Sequence, residues 1–301
     1  MNDKLAELVE NDLSLFSLDY FSVILGINPS KGARSPLLWN KVYEREEKNI
    51  KMVPLDVRPE NIKAVFELLE HNPKCLGGAI AVPYKETIFK FIEDRLPENI
   101  KQIGAINCFY RQKKDSKNKF TGTNTDGEAA LDPIYNFINN RPIKVAVLGF
   151  GGAGKAILSF LIEHSHKENK FYLFNRTKPS KVNSNIEFKL LNADNLGEKI
   201  QSFDLLINTT SVGSSLSKKQ SPVSTELICK IKNSAIVYDI IYDPKYTELL
   251  ERANKLGLKT INGLRMNMIQ AVLAYGYTND TALSKEEILN RDYYKGRFIT
   301  K

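Results

Sequence analysis

The sequence predicts an α/β protein of two domains, the second a doubly wound parallel sheet. Three observations predict it. The chain has 301 residues, enough for one large or two medium domains. From residue 21 onward, short apolar runs alternate with stretches whose apolar residues recur at helical spacing, the rhythm of α/β folds. Residues 144–155, KVAVLGFGGAGK, set a glycine-rich turn directly between a buried strand and a helix.

Composition excludes several classes. Apolar residues make up 42% of the chain and charged residues 26%, the balance of an ordinary globular protein rather than a disordered one. No apolar run reaches the roughly 20 residues that a membrane span needs. The acidic start MNDKLAELVENDLSLF lacks the basic and apolar regions of a secretory signal. Cys75, Cys108 and Cys229 are odd in number and far apart, which predicts reduced thiols in a cytoplasm, with neither a disulfide frame nor a zinc set. His164 and His166 fall on different helix faces and read as solvated polar residues rather than metal ligands. The net charge of +8 fits either nucleic acid or small anions. The densest basic run, residues 111–119 (RQKKDSKNK), has no interleaved aromatics and lies between two short apolar runs, so a solvated hairpin loop is expected. The expected partner is a small molecule, with no nucleic acid and no membrane, on a monomer or homodimer.

In chain order, residues 1–20 allow a short amphipathic helix with Leu5, Leu8 and Val9 on one side. A strand over 21–27 is expected to stop at Asn28-Pro29, and the loop NPSKGARSP follows. Ser35-Pro36 reads as a helix N-cap with proline in the first turn. Next come a strand over 49–53 and a helix opened by Pro59, with Ile62, Val65, Phe66 and Leu69 on its buried stripe. A small-residue strand over 76–82, a helix over 84–93 and two strands, 106–110 and 119–123, complete this half. The second half adds strands over 170–174, 203–208, 235–240 and 258–261. Thr247 caps a helix that stops at Gly257, with Glu248 and Arg252 paired at i, i+4. A helix over 263–275 and a polar helical tail close the chain.

Gly149, Gly151 and Gly154 fit G-x-G-x-x-G between a strand and a helix, a dinucleotide-binding pattern of Rossmann type. Gly149 allows the tight turn, Gly151 leaves room for a pyrophosphate, and Gly154 lets the helix press on the strand. The free N–H groups of the helix start, around Gly152 and Ala153, then face the phosphates. An acidic residue at the end of the next strand would select NAD. Asn175-Arg176-Thr177 stands there instead. Arg176 can fork onto a 2′-phosphate and Thr177 can add a hydroxyl, so the pattern predicts NADP. Read without the glycine motif, the same residues make a polar turn.

A hydride acceptor needs a proton donor near its carbonyl oxygen. Lys85, just past a buried strand and at the start of a helix, is the candidate, and Asp126 in Asn124-Thr125-Asp126-Gly127 is the carboxylate to hold its ammonium in place. Taken singly, a lysine at a helix start is a solvated group and NTDG is a turn.

These residues and several others, taken together, resemble the shikimate dehydrogenase family over about residues 21–280. The matching segments are Asn28-Pro29 to Ser35-Pro36, Val82-Pro83-Tyr84-Lys85-Glu86, Gly104-Ala105-Ile106-Asn107, Asn124-Thr125-Asp126-Gly127, the GFGGAG turn, Asn175-Arg176-Thr177, Tyr238-Asp239-Ile240-Ile241-Tyr242, and Gly263-Leu264 with Gln270. The resemblance implies reversible NADPH-dependent reduction of 3-dehydroshikimate to shikimate, a step of aromatic amino acid biosynthesis. It implies Lys85 and Asp126 as the catalytic pair, and Ser35, Asn107, Tyr242 and Gln270 as substrate contacts. Ile240 and Gly263 join the glycine turn and Asn175-Arg176-Thr177 on the cofactor side. The domains implied are a substrate-binding catalytic domain over 1–127, completed by helices within 264–301, and an NADP-binding domain over 128–263.

Three departures bear on the substrate. Ala33 stands where the family has a serine, and Ala79 and Ala81 replace polar residues in the strand before the lysine. Each hydrogen bond to a charged group contributes about 1.5–3 kcal/mol, so losing two would cost roughly a hundredfold in affinity for the same molecule in the same pose. Either Lys31 or Arg34 takes over the carboxylate, or the substrate is a related cyclic keto-polyol, as for quinate or aminoshikimate dehydrogenases. Arg265, where the family has glycine, either holds an anionic group, restricts the cofactor, or is solvated at a helix start. A folate-type dehydrogenase and a non-catalytic NADP-binding regulator are the competing readings. The NTDG segment and the late glutamine argue against the first, and retention of Lys85 and Asp126 against the second.

Overall fold

A computed structural model of the chain describes residues 2–13, 18–111, 119–215 and 217–280. It divides into two compact units, one of residues up to Thr125 and from Met268 on, the other of residues 126–267.

In the first unit, strands β1 (Tyr20–Gly26), β2 (Ile50–Asp56), β3 (Cys75–Ile80), β4 (Cys108–Arg111) and β5 (Phe120–Thr123) form one sheet in the order β2-β1-β3-β4-β5. β1 runs parallel to both β2 and β3, while β3-β4 and β4-β5 are antiparallel. β1 is buried at every position after Tyr20, as a central strand must be. The helices are α1 (Asn2–Ala6), α2 (Ser35–Arg45), α3 (Ile62–His71), α4 (Lys85–Ile92) and α5 (Glu98–Ile103). Phe66, Phe109 and Phe120 meet at ring-centroid distances of 4.8–5.6 Å under α3. A second apolar cluster joins Trp39 and Tyr43 of α2 to Tyr275 of the last helix, with centroids 5.4 Å apart in both pairs. The Trp39 Nε1–H donates to the Ala271 carbonyl at 2.9 Å, so this fully buried indole leaves no polar atom unpaired. Along β2, the Asn40 amide brackets Met52, accepting from its N–H at 2.6 Å and donating to its carbonyl at 3.2 Å.

The second unit is a six-stranded parallel sheet, order β11-β10-β9-β6-β7-β8. Its strands are β6 (Lys144–Leu148), β7 (Lys170–Asn175), β8 (Ile186–Leu190), β9 (Leu205–Asn208), β10 (Ile236–Asp239) and β11 (Lys259–Ile261). The principal helices here are α6 (Asp126–Leu131), α7 (Tyr135–Asn140), α8 (Gly152–His164), α9 (Ala193–Gly197), α10 (Thr225–Ile228) and α11 (Glu248–Lys255). β6, β7, β9 and β10 are buried almost throughout, the mark of a sheet covered on both faces. The division between the units falls within the last helix, α12 (Leu264–Asn279). Thr247 caps α11 through the Leu250 N–H, and Glu248 pairs with Arg252 at 2.8 Å, both as expected.

Four expectations need correction. Ser35 is not an N-cap: it is the first residue of α2, Arg34 is the cap, and no side chain accepts a capping hydrogen bond there. Pro59 stands in the turn ahead of α3, whose cap is Asn61. α12 continues four residues beyond Tyr275, because Tyr275, Tyr277 and Thr278 still have partners in the first unit. The ends of the basic run are tied to partners, although Lys119 keeps 39% of its side chain exposed. Arg111 donates to the carbonyls of Leu69, Glu70, Asn72 and Cys75, and Lys119 pairs with Glu70 at 2.9 Å beside Arg95. Residues 112–118 between them, and the tail from 281, lie outside the described residues. β8 and the short helices α5 to α7 are additions to the expected elements.

Candidate active site

The first unit gathers one polar knot. Asn107, 2% exposed, follows α5 and precedes β4. Its Oδ1 accepts from the Thr125 N–H at 2.8 Å, and its Nδ2 donates to Thr125 Oγ1 at 2.9 Å and to Gln270 Oε1 at 3.4 Å. Thr125 Oγ1 also donates to the Gln270 carbonyl at 3.0 Å. Gln270 thus enters the first unit from α12, and Thr125 is the residue before Asp126. Asn124 continues the pattern, its amide donating to the Ala105 carbonyl at 3.0 Å.

Lys85 opens α4 and is half-buried. Its carbonyl accepts from the Ile106 N–H at 3.1 Å, which ties the turn to the residue before Asn107. Tyr84, 2% exposed, donates its hydroxyl to the Val57 carbonyl at 2.6 Å. Ser35 is buried at the start of α2. Of the three departures from the family pattern, Ala79 belongs to the buried Trp39–Tyr275 cluster, and Ala33 and Ala81, partly buried, pack against that cluster.

In the second unit, Asp126 is 3% exposed and is the first residue of α6. The glycine turn joins β6 to α8. Gly149 has φ +98°, which side chains rarely adopt. A Cβ on Gly154 would lie 2.6 Å from the Gly149 carbonyl oxygen and 2.7 Å from Thr209 Oγ1, so only glycine fits without movement. A Cβ on Gly151 would meet nothing within 4 Å, and Gly151 is the extended N-cap ahead of Gly152 and Ala153. These first N–H groups of a 13-residue helix form an anion-binding start.

Asn175 ends β7 and spends its amide on the Thr177 carbonyl at 2.8 Å, closing the turn on which Arg176 and Thr177 stand exposed. Ile240 donates its N–H to the Asn208 carbonyl at 3.1 Å, at the end of β10. Gly263 packs on it so closely that a Cβ would fall 1.8 Å from the Ile240 oxygen. Tyr242 is half-buried three residues past β10. Arg265 is exposed at the start of α12, as the solvated reading expected, and its Nε pairs with Asp132.

Two supports escaped the sequence reading. Thr209 donates to the carbonyls of Leu148 at 2.8 Å and Gly149 at 3.1 Å, bracing the glycine turn from beneath. Asp239, fully buried, accepts from Thr247 Oγ1 at 2.6 Å, Ile241 N at 3.1 Å and Asn208 Nδ2 at 3.1 Å. Burial pushes its carboxyl up to about 6 against the pull of those donors. The signal for both was positional: a polar residue at or just after the C-terminal end of a buried parallel strand, where such sheets bind their ligands. Among the described residues no group of three metal-ligating side chains occurs, and no helix is long and apolar enough to cross a membrane.

A Rossmann-type unit with this glycine turn, joined to a second α/β unit carrying a lysine and a buried amide knot, defines a two-domain α/β oxidoreductase. Known proteins narrow the class. Residues 25–109 match the model of the shikimate dehydrogenase substrate binding domain. The chain is 31% identical over 293 residues to the shikimate dehydrogenase (NADP(+)) of Methanococcus vannielii, covering 91% of this chain and 98% of that one. The structure of shikimate dehydrogenase 1 from Peptoclostridium difficile is similar with a TM-score of 0.75 at 28% identity, covering 92% and 97% of the two chains. A shikimate dehydrogenase in complex with NADP+ has a TM-score of 0.75 at 25% identity, covering 97% and 99%. The chain belongs to the shikimate dehydrogenase family.

Proposed function

We propose that this protein is an NADP-dependent dehydrogenase that interconverts 3-dehydroshikimate and shikimate. The observation that carries the reading is the Asn107–Thr125–Gln270 knot. It gathers residues far apart in sequence at the peptide that leads into Asp126, and relatives of near-equal length carry the activity in their names. NADPH supplies the hydride when bound. Lys85 donates a proton to the oxygen of the reduced carbonyl, or takes it back in oxidation, with Asp126 as its carboxylate partner. Ser35, Asn107, Tyr242 and Gln270 hold the carboxylate and ring hydroxyls. On the cofactor side, the amides of Gly151, Gly152, Ala153 and Gly154 face the pyrophosphate across the turn that Gly149 allows, the Gly149 N–H itself being held by the Phe174 carbonyl. Arg176 and Thr177 take the 2′-phosphate on the turn that Asn175 closes. Ile240 and Gly263 form the apolar, close-packed floor at the nicotinamide end. The substrate domain is taken as 1–127 with the helices within 264–301, and the NADP domain as 128–263.

The apolar side chains of Ala33, Ala79 and Ala81, in place of polar ones, favour a second reading, a cyclic keto-polyol differing from shikimate in its substituents. NADP+-linked oxidation of a panel holding shikimate, quinate and amino analogues decides between them. Fastest turnover on shikimate supports the main reading. Faster turnover on another member transfers the assignment to it, and NADPH binding with no oxidation of any member removes the enzyme reading.

A further inference from the structure

We propose that the segment around Leu8–Asn11 is a brace that positions the substrate loop over residues 27–36 and the Lys85 turn, acting through the end of β2. The inference rests on the reading of Ser35 and Lys85 given above, and every contact in it lies within the first unit.

The end of β2 is gripped from one side by this segment. Glu10 N–H donates to the Asp56 carbonyl at 2.8 Å, and Asn11 Oδ1 accepts from the Asp56 N–H at 2.7 Å. The Asn11 amide also donates to the Pro54 carbonyl at 3.0 Å, and Val9 bridges Val57 antiparallel. Asn61, the cap of α3, donates to the Leu8 carbonyl at 3.1 Å. On its other side the same pair of residues holds both functional turns. The Asp56 carboxylate, 4% exposed, accepts from the Ser30 N–H at 2.9 Å and from the Ser30 hydroxyl. Ser30 belongs to the short 3-10 turn Pro29–Lys31, and the Pro29 carbonyl in turn accepts from Ala33 N–H at 3.0 Å, two residues before Ser35. The Val57 carbonyl accepts the Tyr84 hydroxyl at 2.6 Å, one residue before Lys85.

Two neighbouring residues thus fix two loops that differ in function, and both are fixed by side chains. The Val57 carbonyl and the Asp56 carboxylate are firm acceptors because β2 holds Asp56 in the sheet and the Val57 N–H is tied to the Gly26 carbonyl at 2.8 Å. Their own outward groups would be free without residues 8–11. Loosening Asn11 or Asp56 is therefore expected to act on the substrate loop, and loosening Tyr84 on the lysine turn. Asn11, Asp56 and Tyr84 are positioning residues, since none is placed against the substrate.

The test is a comparison of Asn11→Ala, Asp56→Ala, Asp56→Asn and Tyr84→Phe in the full chain. Hydrogen exchange at the Ser30 and Ala33 amides is read together with steady-state oxidation of shikimate. For Asn11→Ala and Asp56→Ala the brace predicts exchange at Ser30 faster by about tenfold and KM for shikimate up about five- to tenfold. It also predicts kcat within about twofold and KM for NADP+ unchanged. Asp56→Asn, which keeps one acceptor for the Ser30 N–H, returns KM to within about twofold of the parent. Tyr84→Phe lowers kcat about fivefold or more while leaving KM for shikimate within about twofold. Unchanged exchange and KM in Asn11→Ala and Asp56→Ala overturn the brace, as does an equal rise of KM for both substrates, the mark of general destabilisation. Should the parent oxidise no shikimate, the functional reading fails and the exchange rates alone still judge the brace.

Discussion

The turn at residues 149–154 and the loop at residues 27–36 both leave a strand and enter a helix, yet different parts of the chain hold them. The glycine turn is shaped by backbone fit, with Gly149 at positive φ, Gly154 against the Gly149 carbonyl, and one hydroxyl, that of Thr209, beneath. The loop over 27–36 is shaped by side chains reaching from elsewhere, chiefly Asp56 on Ser30. A turn built from backbone tolerates no added atom where it is tightest, at Gly149 and Gly154, and takes one distant hydroxyl as its support. A loop built from side chains tolerates atoms in its open places but fails when a remote partner goes.

The largest expected effect separates the chemistry of the two units. Lys85→Ala is expected to lower kcat at least about a hundredfold, with NADPH affinity by fluorescence titration unchanged. Equal loss of cofactor binding would break the division of labour. Next is a pH effect in the second unit. Asp239 has its carboxyl raised from 3.8 to about 6 by burial, so the folded chain keeps that proton longer than the unfolded chain does. Stability from this group is greatest below about pH 4, declines as pH rises through about 6, and is flat above, a loss on the order of 3 kcal/mol. Urea unfolding between pH 4 and 7 reads it, and Asp239→Asn should flatten the decline.

A single methyl then probes the two loops directly. Gly154→Ala is expected to cost about 2 kcal/mol in urea unfolding and to weaken NADPH binding, because its Cβ would meet a backbone oxygen at 2.6 Å. Gly32→Ala, in the substrate loop, meets nothing within 4 Å and is expected to cost less than about 0.5 kcal/mol. Arg176→Ala is expected to remove a preference for NADPH over NADH of about tenfold, read as a ratio of dissociation constants. Equal binding of both cofactors by the parent would remove Arg176 from the 2′-phosphate site.

The same contrast explains what could be read from the sequence. The glycine turn, the strands β6, β7, β9 and β10, and the Thr247 cap were legible because local residues cause them. β8 was not, since it lies at the margin of the sheet and its positions are all half-buried or exposed, giving no apolar run. The roles of Arg111, Asp56 and Thr125 were illegible for a different reason. Their partners lie 18 to 145 residues away, as with Asn107 and Gln270 for Thr125, and no spacing rule spans such distances. Ser35 shows the opposite error: a locally plausible cap next to proline, which the structure makes the first residue of α2 with Arg34 as the cap.

One consequence follows from the asparagines along β2. It is the outermost strand of its sheet, and its alternate backbone groups point away from β1. Asn40 occupies both groups of Met52, Pro54 has no N–H and its carbonyl is taken by Asn11, and Asp56 is taken by Asn11 and Glu10. Every outward rung from 52 to 56 is filled by an amide that imitates a neighbouring strand. The open flank of the sheet is thereby closed to strand addition from a second molecule, and two asparagines guard against aggregation where other proteins station lysines.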